Sequence, residues 1–258
     1  VFFAYPMVDI VVRSLSGPGG ATLAHYREVV DHPIYLRVFL ITFEIALSVT
    51  VLTLLIGYPL AYLLSGTSGA VATVIMSCVL LAYLTNILVR TYAWMLILGP
   101  NGVLGAALRW LGLSPVALLY NRYGVLIGMT YALLPYMVLT LYSVMRGIDR
   151  SYVLAARNLG ASDWRAFRHV FLPMSLPGVV GGALLVFVLA VGYFITPRLL
   201  GGARDQMIAM VIEQQVELGM NWGFASALAI ILLAFTTLGF LLYDRLVGLR
   251  SLFESKLT

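Results

Sequence analysis

Apolar residues run in long charge-free stretches along this chain. No Asp, Glu, Lys or Arg occurs in 45–89, 91–108, 123–145, 169–197 or 218–243. A membrane-crossing helix needs about 20 mostly apolar residues, whereas the strands of a membrane barrel alternate over about 10. The run lengths therefore predict helices. The first run is too long for one crossing and contains Ser65-Gly66-Thr67-Ser68-Gly69, a cluster of turn formers. That cluster splits it into helices near 38–62 and 70–97. Further spans are expected near 123–145, 175–199 and 225–247. Residues 1–12 are mostly apolar and read as the tail of a spanning helix whose start is missing. The pattern thus predicts an all-α polytopic membrane protein of about six transmembrane helices, the first one truncated. No repeat and no low-complexity linker interrupts it, so residues 1–258 read as one membrane domain.

Composition sharpens the class. Of 258 residues, 61% are hydrophobic and 10% charged, against about 25% charged in an ordinary soluble domain. So few charges cannot cover the surface of a water-soluble enzyme, and so apolar a chain does not stay disordered. The formal net charge is +5, with Lys256 the only lysine among 16 basic residues. On a membrane chain such an excess belongs to loops, not to nucleic acid. Counted on an even number of spans, the two sides tie at eight basic residues each. Local density places the 146–176 loop on the cytoplasmic side, because Arg146, Arg150, Arg157, Arg165 and Arg168 crowd into it.

Several chemistries have no residues to carry them. A phosphate-cradling P-loop needs Gly-x-x-x-x-Gly-Lys-[Ser/Thr], and Lys256 has no such context. His25, His32 and His169 are scattered and Cys78 is alone, so no metal site is expected. No Gly-x-Ser-x-Gly nucleophile elbow occurs. No catalytic residue and no cofactor is assigned to this chain. Uphill transport would draw on a partner or on an ion.

The segment 146–178 breaks the apolar pattern. Asp149 or Ser151 can cap a short helix that Gly160, tolerant of positive φ, can end. Ser162 can cap a second helix with Asp163 in its first turn, where the helix dipole favours an acid. That helix is expected to run to Pro173, with Pro177 preceding the next span. The product is an amphipathic helix-turn-helix carrying Tyr152, Trp164, Phe167 and Phe171, or else an interfacial basic loop anchored among headgroups.

Within this segment Leu154-Ala155-Ala156, Gly160, Val170 and Leu172-Pro173 stand at the spacing of the Glu-Ala-Ala signature of ABC importer permeases. Gly57-Tyr58-Pro59-Leu60-Ala61-Tyr62, Val89-Arg90-Thr91-Tyr92-Ala93-Trp94, Leu133-Leu134-Pro135-Tyr136, Leu199-Leu200-Gly201-Gly202 and Asn221-Trp222 resemble the permeases of spermidine/putrescine-type importers. The resemblance covers most of the chain. It implies a type I ABC importer permease in a bacterial inner membrane. It also implies a second permease subunit, a dimer of ABC ATPase subunits that binds ATP and Mg, and an extracytoplasmic substrate-binding protein. The cargo implied is a polyamine or another small polar organic solute. On this chain Ala155, Ala156 and Gly160 would allow close helix packing, and Asp163, Arg165 and Arg168 would offer polar contacts to the ATPase, with Phe167 and Pro173 in the same loop. One departure stands out: the family's leading Glu is Leu154 here. Coupling in this half is then expected to rest more on packing.

Ionisable residues inside spans are costly in lipid and so are functional candidates. Glu44 can supply a counter-charge to a cationic solute, or pair with Arg37 or another helix. Arg90 is expected to snorkel to the outer headgroups, and its match to the family stretch leaves room for a structural ion pair. Tyr131, Tyr136 and Tyr193 can meet a cation through their rings or hydrogen-bond between helices. Glu213 and Glu217, one helical turn apart, can attract a cation, meet a binding protein, or form a solvated face. Gly124-x-x-x-Gly128 and Gly178-x-x-x-Gly182 permit close helix approach. The rival reading is an ion-coupled secondary carrier, which calls for paired intramembrane carboxylates or broken helices. Glu44 is the only good candidate acid for that role.

Overall fold

The computed structural model describes residues 4–17, 20–110, 112 and 118–247. Helices dominate: α1 (Ala4–Leu15), α2 (Ala24–Asp31), α3 (Pro33–Gly66), α4 (Ala70–Leu84), α5 (Ile87–Leu98), α6 (Val103–Trp110), α7 (Arg122–Arg146), α8 (Ser151–Asn158), α9 (Asp163–Ala166), α10 (Leu172–Val191), α11 (Ile195–Leu200), α12 (Ile208–Glu217) and α13 (Trp222–Val247). One short antiparallel pair, Ser16–Gly17 with Gly20–Ala21, links α1 to α2. Among the described residues, five helical stretches are long and apolar enough to cross a membrane: Pro33–Gly66, Ile87–Ala107, Arg122–Arg146, Asp163–Val191 and Trp222–Leu241. Ala70–Leu84 is apolar but only 15 residues long.

The expected spans near 38–62, 123–145 and 225–247 coincide with α3, α7 and α13. The expected tail helix appears as α1, with residues 1–3 outside the described residues. Two expected spans are broken. The 70–97 helix stops at Leu84, where Thr85 turns extended at ψ 132° and its hydroxyl donates to the Leu81 carbonyl at 2.6 Å. A short polar side chain that bonds the backbone competes with helix continuation, and a charge-free run conceals such a break. The 175–199 helix stops at Val191, and a new one begins at Ile195. Gly192 weakens the helix there, and Pro197, which lacks an N–H, then falls in a first turn that has no use for one.

Conversely, Pro173 does not end the second loop helix. A π turn over Phe167–Phe171 joins α9 to α10 in one rod, Asp163–Val191. The Leu172 N–H reaches back to the Phe167 carbonyl across this widened turn. The widening lies just before Pro173, whose ring would otherwise press on the His169 carbonyl.

The residues divide into two compact units. The first comprises the described parts of Val1–Leu47, with Ile87–Met129 and Ala190–Val247. Its core gathers Val29, Val38, Phe39, Ile208, Val211, Phe224 and Leu228, with the Tyr35 ring edge-on to Phe224 at 5.1 Å. Buried hydroxyls tie its helices. Thr42 Oγ1 donates to the Val38 carbonyl and accepts the Ile208 N–H, both at 2.8 Å. Thr91 and Thr196 meet hydroxyl to hydroxyl at 3.2 Å. At Gly128 an added Cβ would lie 2.3 Å from Leu200 Cδ1.

The second unit comprises Ser48–Asn86 and Thr130–Leu189. Its helices approach through glycine: an added Cβ on Gly57 would meet Met137 at 3.0 Å, and one on Gly178 would meet Val144 at 3.0 Å. The whole 146–176 loop belongs to this unit.

Candidate functional site

The loop begins with a local device. Asp149 Oδ1 accepts the Ser151 N–H at 2.8 Å, occupying one of the orphan donors of α8. The backbone N–H and then the hydroxyl of Ser151 hold the Asp149 carboxyl below its ordinary value. The N-cap itself is Arg150, without a side-chain bond, so neither expected residue caps α8; Asp149 acts one residue earlier, as an Asx turn. At the other end Gly160 adopts φ +85°. Its N–H bonds the Arg157 carbonyl at 2.9 Å, and the Ala161 N–H bonds the Ala156 carbonyl at 3.0 Å. These two bonds form a Schellman turn, which requires the left-handed conformation at Gly160. A Cβ there would meet nothing within 4 Å. Within this chain Gly160 is therefore demanded by φ and not by close packing.

Ser162 stands before α9 with extended geometry, ψ 159°, but its side chain makes no capping bond. Asp163 occupies the first turn as expected. Its carboxylate pairs with Arg157 Nε at 3.0 Å across the Gly160 turn. The Asp163 side chain remains 82% exposed in this pair. The separation of six positions across a turn is not a helical neighbour spacing, so pattern alone gave no signal for the pair.

The surface of the loop is apolar in patches. Leu159 is 90% exposed, Trp164 65% and Leu154 55%. Ala155, Arg165, Arg168 and Pro173 are exposed, while Ala156 and Phe167 are half-buried. Leu154, at the position of the signature acid, borders a recess whose lining includes Arg150, Arg157, Gly66 and Thr67. Contacts that the sequence did not foresee bind the loop to the end of α3. Arg150 Nη2 donates to the Ser65 carbonyl at 2.6 Å. The Tyr62 ring lies edge-on to Phe167 at 5.4 Å and to Phe171 at 4.9 Å.

The expected path residues fall in different places. Glu44 pairs with Arg122 at 2.7 Å, on the opening turn of α7, and not with Arg37. Tyr136 sits edge-on to Tyr83 at 5.2 Å in the second unit. Tyr131 is 37% exposed. Tyr193 lies in the first unit, where its N–H closes the turn after α10 on the Ala190 carbonyl. Arg90 does not snorkel: it is only 9% exposed. The break at 85–86 places it in the first turn of α5, where a continuous 70–97 helix would have placed it late. Glu213 and Glu217 are not simply a solvated face. Glu213 pairs with Arg198 of α11. Burial, and the neighbouring Glu217 carboxyl, push its pKa up against the pull of Arg198.

Residues 53–249 match the family described as binding-protein-dependent transport system inner membrane component. The chain is 35% identical over 226 residues to the spermidine/putrescine transport system permease protein PotB of Escherichia coli (strain K12), covering 87% of this chain and 82% of that protein. It is 30% identical to the inner membrane ABC transporter permease protein YdcU of the same organism, over 81% of this chain and 71% of that protein. Among solved structures, a bacterial alginate ABC transporter in complex with an alginate pentasaccharide-bound periplasmic protein matches with TM-score 0.75 at 18% identity. That match covers 95% of this chain and 88% of the other. An inward-facing MetNI methionine ABC transporter matches with TM-score 0.64 at 19% identity, over 84% of this chain and 94% of the other. At such identities the structural matches speak to the fold, that of type I ABC importer permeases. With its apolar helices and these relatives, this chain is a multi-pass membrane protein that belongs to the family of binding-protein-dependent transport system inner membrane components, the permease subunits of ABC importers.

Proposed function

We propose that this chain forms half of the translocation path of a bacterial polyamine importer, carrying spermidine, putrescine or a similar small polar organic solute. The observation that carries the cargo is its 35% identity to a spermidine/putrescine permease over most of both chains. The reading for coupling rests on the 146–176 loop. Its signature spacing folds into the short helix α8, a Schellman turn and the start of the Asp163–Val191 rod, with Leu154, Leu159 and Trp164 exposed. In this reading the loop docks on a separate ATPase subunit through Leu154, Ala155, Ala156, Gly160 and Phe167, with Arg165 and Arg168 supplying charge. Asp163, held by Arg157, shapes the loop. ATP and Mg bind to the ATPase dimer, and ATP hydrolysis occurs there and not in this chain. A second permease and an extracytoplasmic binding protein complete the assembly in the inner membrane, with residues 1–258 as one transport domain.

Along the path, Glu44 would offer its carboxylate to an ammonium group in exchange for Arg122, and Tyr131, Tyr136 and Tyr193 would offer ring faces. An ion-coupled carrier acting alone is not favoured, since the relatives are ABC importer permeases. The test is purification of the tagged chain, co-expressed with its neighbouring genes, followed by native mass spectrometry and uptake of labelled spermidine into proteoliposomes. A complex of two permeases and two ATPase subunits with ATP-dependent uptake is expected. A stable species without ATPase overturns the coupling reading, and an assembled complex that takes up neither spermidine nor putrescine overturns the cargo.

A further inference from the structure

The contacts between the loop and α3 fall at one end of that helix. Tyr58 and Tyr62 stand at i and i+4 on one face of α3, and the Ser65 carbonyl follows at the end of the helix. Each meets a different point beyond α3. Tyr58 Oη lies 2.8 Å from Ser175 Oγ in α10. Tyr62 is edge-on to Phe167 and Phe171 on the π turn. The Ser65 carbonyl takes the Arg150 guanidinium, which also lies 3.0 Å from where a Cβ on Gly66 would sit. Arg150 thus closes the C-terminal end of α3, where free carbonyls and the helix dipole favour a cation.

These contacts are not needed to give the loop its shape. The Asp149–Ser151 bond, the Schellman turn at Gly160 and the Arg157–Asp163 pair define α8, the turn and α9 locally. What the contacts with α3 determine is where the loop stands relative to that helix. The two kinds of contact also resist opposite displacements. Rings in contact resist compression, and the guanidinium–carbonyl bond resists separation. The π turn beneath Tyr62 is a local departure from α geometry of the sort often found at functional positions.

We infer that the Tyr58–Gly66 end of α3 is latched to the loop at two points, with Tyr62 and Arg150 as positioning residues that make α3 follow the loop when the ATPase moves it. This rests on the coupling reading above. The test uses the assembled complex in nanodiscs, with Cys78→Ser removing the native thiol and Ser68→Cys carrying an environment-sensitive fluorophore just beyond α3. ATP is the only ligand added, so the outcome does not depend on the cargo. The latch predicts an ATP-dependent fluorescence change in the complex that is otherwise unaltered. It also predicts that Tyr62→Ala retains its ATPase subunits and basal hydrolysis while the change shrinks about fivefold or more. Tyr62→Phe, which keeps the ring, restores it. A full response in Tyr62→Ala, no response before substitution, or failure of Tyr62→Phe to rescue overturns the latch. So does loss of the ATPase from Tyr62→Ala, since the residue would then shape the docking surface. If Tyr62→Ala does not accumulate, Tyr62→Leu is read by the same criteria. A chain with Tyr62 intact that binds no ATPase overturns the coupling reading itself, and the latch with it.

Discussion

The helices of the first unit and the loop of the second are tied by different means. In the first, the ties are buried: the Thr42 hydroxyl receives the Ile208 N–H, Thr91 meets Thr196, and Gly128 lets Leu200 close onto α7. In the second, the loop is held by ties at the surface, the Arg157–Asp163 pair and the Arg150–Ser65 bond, with the Tyr62 ring partly covered. Breaking a buried tie leaves a polar group without water, at about 1–3 kcal/mol. Exposed ion pairs contribute about 0.2–1 kcal/mol, because water replaces either partner. The first arrangement keeps helices in place. In the second, each tie is weak by itself, and only together do they set where the loop stands.

Substitutions can break or sharpen that contrast. The largest effect is expected from Gly128→Ala. Its Cβ would overlap Leu200 and Thr196, so overpacking should cost about 1–3 kcal/mol, seen as a lowered thermal midpoint in detergent. Gly239→Ala, with open space around it, is the matching control and should leave the midpoint near its original value. Thr42→Val keeps shape but removes the acceptor for the buried Ile208 N–H. It should cost somewhat less, about 1–2 kcal/mol within the range for an unsatisfied buried donor. A midpoint equal to that of the unsubstituted protein would show that the buried tie is dispensable.

In the loop, Gly160→Ala meets no neighbour, and its only cost is φ +85°. That strain is about 1–2 kcal/mol, and it should appear locally as about tenfold faster amide exchange in α8, with little change in the global midpoint. Asp163→Asn should have the smallest effect, under about 1 kcal/mol, and 1 M salt should mask it. An Asp163→Asn change as damaging as Thr42→Val would mean that the loop is no more yielding than the first unit.

Much of this protein is legible in its sequence. Charge-free runs identified α3, α7 and α13, because lipid demands continuous apolar surface and internally bonded backbone. The signature spacing located the loop, and Gly160 was read as a residue for positive φ, because a Schellman turn is local chemistry. Helix breaks were misplaced for a related reason. Thr85 and Gly192 interrupt helices without any charge to mark them, whereas Pro173, an apparent stop, is accommodated by the π turn before it.

Local devices depend on neighbours a few positions apart, and so the chain alone determined the class, most spans and the Gly160 turn. Partnership across the fold was decided only by tertiary structure. Glu44 chose Arg122 over Arg37, Arg198 took Glu213, and Arg90 became buried. Tyr62 met Phe171, and Arg150 met the Ser65 carbonyl, each across many residues of intervening chain. A charge or ring has many suitors of the right chemistry along a sequence, and only the packing of helices brings one of them within reach.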